Sequence, residues 1–207
     1  MLEKVRSKDG NLVAKYDGRW LASSVRPIEE AQKWVSQLPV TIHKVRTVIV
    51  LGVGCGYHLK ALAKTLNNKK ILAIDTNADF IKFCDEHHGV DLAHVQFAQA
   101  SDTTELFKNN KLIKTIQASY FIVEYKPVVE LDIEKYAELK TNLLGRDFSA
   151  FRELYNKRED LKKILSIYKP TIDVSEPLTI KLLIHMLKDN SGDCNAKMLR
   201  ILRELVK

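Results

Sequence analysis

Three glycines at alternate positions, Gly52, Gly54 and Gly56, are the residues whose spacing points most directly to chemistry. They follow Val48-Ile49-Val50-Leu51, an apolar, largely β-branched run that reads as a strand buried on both faces. From Tyr57 to Leu66 apolar side chains recur at helical spacing. Strand, glycine turn and helix start together make a nucleotide-binding crossover. Glycine lets the backbone approach a ligand, and the free N–H groups of the helix start favour a polar or anionic group. Gly52, Gly54, Gly56 and Tyr57 are therefore candidate ligand-binding residues; a tight turn in a parallel sheet is the plainer alternative. A second apolar run, Ile71-Leu72-Ala73-Ile74, ends at Asp75, nineteen positions after Gly56. That is the spacing of the acid that grips a ribose. Asp75 equally suits the start of the next helix, through Thr76 and Asn77.

The glycine pattern discriminates between cofactors. A dinucleotide fingerprint needs glycine at position 57, and a P-loop needs Gly-Lys-Ser/Thr, but Tyr57-His58 stands here. G-x-G-x-G with a later acid resembles motif I of the Rossmann-like methyltransferases, although Val50 stands where that family usually carries an acid. The resemblance implies S-adenosylmethionine as cofactor. It also implies that Asp102, just after the apolar stretch 95–100, meets the adenine amino group. Ser101 or Asp102 with Glu105 also makes a good helix start. Residues 118–124 read as a fourth strand, so the following Tyr125-Lys126-Pro127 faces the same crevice. Glu124 is a candidate catalytic base and Lys126 a candidate anion-binding residue, with an ordinary surface turn as the alternative.

A second resemblance rests on Asp9-Gly10, on Leu21-Ala22-Ser23-Ser24-Val25-Arg26-Pro27-Ile28-Glu29-Glu30-Ala31, and on the glycine turn continued by Tyr57-His58-Leu59. In this order they resemble the amino-terminal region of motility-associated factor glycosyltransferases, bacterial proteins implicated in modifying flagellin with sialic-acid-like sugars. The similarity runs over about residues 9–130. A chain of this length has no room for a following glycosyltransferase domain, so the resemblance implies fold rather than activity.

The 207 residues suit one domain. Hydrophobic residues at 45% and charged ones at 29% are ordinary for a water-soluble protein. No apolar run is long enough for a membrane span, and Met1-Leu2-Glu3-Lys4 begins no signal peptide, so a cytoplasmic location is expected. Three dispersed cysteines form neither a zinc pattern nor a disulfide framework. His87 and His88 are adjacent and do not share a helix face, so no metal site is expected. Net charge is +7, with the excess of Lys and Arg in residues 1–47 and 140–207. Those flanks suit an anionic partner, although interleaved acids make a solvated surface the simpler reading.

The elements that must position these residues follow in order. Turn signals at Asp9-Gly10-Asn11 and Asp17-Gly18 predict a small β unit over residues 5–25. Pro27 opens a helix reaching Leu38, and a crossover helix from Ala78 stops at Gly89. Beyond Glu130 the sequence turns helical, interrupted by a possible strand at 171–175. The expected fold is α/β: a Rossmann-like parallel sheet with helices on both faces, a small N-terminal β unit (1–47, with its helix), a nucleoside-binding core (48–139) and a helical C-terminal part (140–207). Two functions follow. One is an S-adenosylmethionine-binding, methyltransferase-like protein of unknown acceptor, against which stands a strand count short of the seven such enzymes use. The other is a non-catalytic module that binds a nucleotide or a partner.

Overall fold

The computed structural model describes residues 1–100 and 120–145, together with Glu105, Lys108, Leu112, Leu154 and residues 157–159. The expected features at Asp102 and 171–175, and most of the helical part beyond 145, lie outside the described residues.

The chain opens with an antiparallel sheet of β1 (Leu2–Arg6), β2 (Leu12–Tyr16) and β3 (Arg19–Trp20). The turn before β3 uses Asp17 and Gly18 at positive φ, 47° and 78°, the conformation for which Asp-Gly pairs are suited. α1 (Pro27–Ser36) starts on the proline, with Glu29 and Glu30 in its first turn. A short 3-10 turn (Val40–Lys44) leads into β4 (Thr47–Leu51), every residue of which is buried.

β4 is followed by α2 (Tyr57–Thr65), β5 (Lys70–Asp75), α3 (Ala78–His88), β6 (Val95–Gln99) and β7 (Tyr120–Glu124). The four strands pair in parallel in the order β6-β5-β4-β7. Growth of the sheet therefore reverses between β4 and β7, the topological switch point at which open α/β sheets hold ligands. A single helical turn, α4 (Lys126–Val129), and the longer α5 (Ile133–Leu143) follow β7.

Alternation along the strands feeds two cores. Ile49, Leu51, Leu72 and Ile74 join Phe80, Phe83, Tyr136, Leu139 and Leu143. Val48, Val50, Ile71 and Ala73 join Leu59, Leu62 and Leu66. The N-terminal sheet is part of the first core through Val13, Ala14 and Leu21, all fully buried. The Rossmann-like α/β sheet flanked by helices is as expected. Among the described residues, no helix is long and apolar enough to cross a membrane.

Candidate functional site

The glycine turn connects β4 to α2, and each of its glycines has a positive φ: 93° at Gly52, 48° at Gly54 and 84° at Gly56. Backbone geometry alone therefore demands residues without a Cβ. Packing demands it again. A methyl group at Gly54 would lie 2.6 Å from Val128 Cγ2 and 3.2 Å from the Leu21 carbonyl oxygen. One at Gly56 would lie 2.4 Å from Cys84 Sγ on α3. The close approach that glycine permits is used here by the protein's own atoms, and the whole turn from Gly52 to Gly56 is buried.

Asp75 sits at the carboxyl end of β5, as its spacing implies, and is completely buried. Its Oδ2 accepts the Val53 backbone N–H at 2.6 Å, stitching the glycine turn to β5. Its Oδ1 accepts the Asn77 N–H at 2.9 Å and the Tyr136 hydroxyl at 2.9 Å. Asn77 in turn caps α3 by accepting from the Asp79 N–H at 2.9 Å. Burial pushes the Asp75 carboxyl up to about 6, against the downward pull of the Val53, Asn77 and Gly54 N–H groups and the Tyr136 hydroxyl. Tyr136 gives Asp75 the hydrogen bond that a ribose hydroxyl would give.

The remaining candidates are dispersed. Tyr57 donates its hydroxyl to the Leu12 carbonyl at 2.7 Å, tying α2 to the N-terminal sheet. Glu124 ends β7 with its carboxylate 3.0 Å from Lys140 Nζ, an ion pair across to α5. Lys126 is exposed at the first position of α4. His87 packs against Phe83 and His88 against Tyr57. His58, fully buried, shares a 3.0 Å bond with the Gly52 carbonyl and stacks on Tyr125 with ring centroids 3.7 Å apart. Burial lowers its pKa to about 3, so the ring is neutral and donates from Nε2. The Cys55 thiol is raised by burial to about 12, so it supplies no thiolate.

Two residues that shape this region carry no functional signal in the sequence. Val128 lies one turn beyond the β7 end and enters the glycine turn. Tyr136 belongs to an apolar helical stripe and reads as core, yet its hydroxyl reaches an acid 61 positions away. The space against the turn where a nucleoside cofactor would lie thus holds Val128, Leu21 and Tyr136. These residues do not fit S-adenosylmethionine in this arrangement. Beside Tyr136 a polar crevice of about 580 Å³ remains, bordered by Asn77, Asp79, Gln99, Asp132 and Lys135.

Fold and turn together define a Rossmann-like α/β protein with a buried glycine turn at its switch point. Residues 6–84 match the family model described as the glycosyltransferase Maf N-terminal domain. The match runs from the end of β1 into α3 and supports the resemblance seen in Asp9-Gly10, the Pro27 helix and the glycine turn. A search of curated proteins finds no match.

Proposed function

We propose that this chain is a non-catalytic interaction module of the glycosyltransferase-associated type, in which a Rossmann-like crevice has become part of the core. The observation that carries this reading is the bond from the Tyr136 hydroxyl to Asp75, formed where a bound ribose would be gripped. Val128 in the glycine turn and the Glu124–Lys140 ion pair support it, since they occupy the cofactor cradle and the candidate base. The alternative is an S-adenosylmethionine-binding, methyltransferase-like protein in which α4 and α5 withdraw to admit the cofactor. The 580 Å³ crevice beside Tyr136 favours that alternative.

Calorimetric titration of the folded chain with S-adenosylmethionine, S-adenosylhomocysteine, ATP and a nucleotide sugar separates the two. The interaction module binds none of them more tightly than about 1 mM, near the weak end of specific association. Micromolar binding of any one, weakened by Asp75→Asn in a variant that keeps its fold, would replace the module with the ligand-binding alternative.

A further inference from the structure

A groove of about 810 Å³ lies on the opposite side of α2 from the sheet, between α1 and α2. Apolar Ile28, Val35, Leu38, Val40 and Ala61 share its lining with polar Gln32, Ser36 and Thr65. Two of these are conspicuously open to water, Ile28 at 46% and Val40 at 78% exposure. One wall is cationic. Lys60 and Lys64 stand one turn apart on α2, with His43 nearby on the 3-10 turn, and no acid lines the groove among the described residues. Lys60 is partly neutralised by Asp91 at 2.5 Å, whereas Lys64 is exposed and has no ion pair among the described residues.

We infer that this groove docks an acidic amphipathic helix of a partner protein. The inference rests on the reading of the chain as an interaction module. Three features select this occupant. The groove runs along α1 from Ile28 to Ser36, about 12 Å or roughly eight helical residues, with Ile28, Ala31 and Val35 as its apolar positions. A helix laid there buries apolar residues spaced three and four apart, the usual pattern of helix-in-groove recognition. Carboxylates one turn apart on its flank meet Lys60 and Lys64, whose own spacing is the same. The high exposure of Val40 describes an open surface rather than a cavity that encloses a small ligand.

The test is selection of helical peptides of about twelve residues from a random display library on the full chain, followed by affinity measurement with the enriched sequences. Enriched peptides should carry an apolar stripe and net negative charge. Val40→Asp and Lys64→Glu, both at exposed sites, should each weaken binding roughly tenfold. A peptide with Lys in place of its Glu facing position 64 should regain affinity for the Lys64→Glu chain, a reversal that a merely structural lysine would not produce. Enrichment of neutral or basic peptides, or binding indifferent to both groove variants, overturns the inference. Nucleoside binding in the crevice would defeat the interaction-module reading while leaving these groove measurements as they stand.

Discussion

Asp75 and His58 are two buried titratable groups bonded to the glycine turn, at Val53 N–H and the Gly52 carbonyl, and their effects on stability have opposite signs. The Asp75 carboxyl titrates at about 6 in the folded chain against an ordinary 3.8, so between those values the folded state binds more protons than the unfolded one. Its contribution to stability therefore falls as pH rises from about 4 to 6. His58 titrates at about 3 against an ordinary 6.5, so over the same range the unfolded state binds more protons. Its contribution rises with pH from about 3 to 6.5. Each slope is about 1.4 kcal/mol per pH unit at most, and the two nearly cancel between pH 4 and 6. Asp75→Asn should uncover the histidine: urea midpoints of this variant should drop more steeply than those of the parent as pH is lowered from 6.5 to 4. Parallel profiles for the two proteins would mean that Asp75 is not buried as described.

At the scale of elements, α4 is a single turn that packs onto the glycine turn through Val128. Val128 is fully buried, and the Cβ position of Gly54 would fall 2.6 Å from its Cγ2. Gly54→Ala should destabilise the chain by about 2 kcal/mol or more, from left-handed backbone strain and overpacking together. Val128→Ala in the same chain should recover part of the overpacking but none of the backbone cost. A double-mutant cycle in urea should thus show coupling of about 1 kcal/mol; strict additivity would show that α4 does not rest on the turn. The sequence made β4, β5 and the glycine turn legible because β-branched runs buried on both faces and alternate glycines are local signals. β1 began earlier than expected, at Leu2, since an edge strand with exposed Glu3 and Lys4 carries little apolar pattern. α4 read as a plain turn because four residues are too few to set a period.

The whole molecule shows why the candidate site was only half readable. Spacing located Gly52, Gly54, Gly56 and Asp75 at one end of the sheet, since strand ends and turns are fixed by local sequence. What faces them is set by tertiary packing: Leu21 comes from the N-terminal sheet, Val128 from the far side of the switch point and Tyr136 from α5. No spacing rule connects these to a glycine turn. The result is a Rossmann-like fold whose glycine turn is sealed by the chain's own side chains. Observation of the Asp75 carboxyl carbon by NMR through a pH titration, with and without millimolar S-adenosylmethionine or ATP, tests that seal most directly. The account predicts a midpoint near 6, raised by burial, that neither ligand moves. A midpoint near the ordinary 3.8, or one displaced by either ligand, would show the carboxylate open to solvent or ribose and would contradict a sealed crevice.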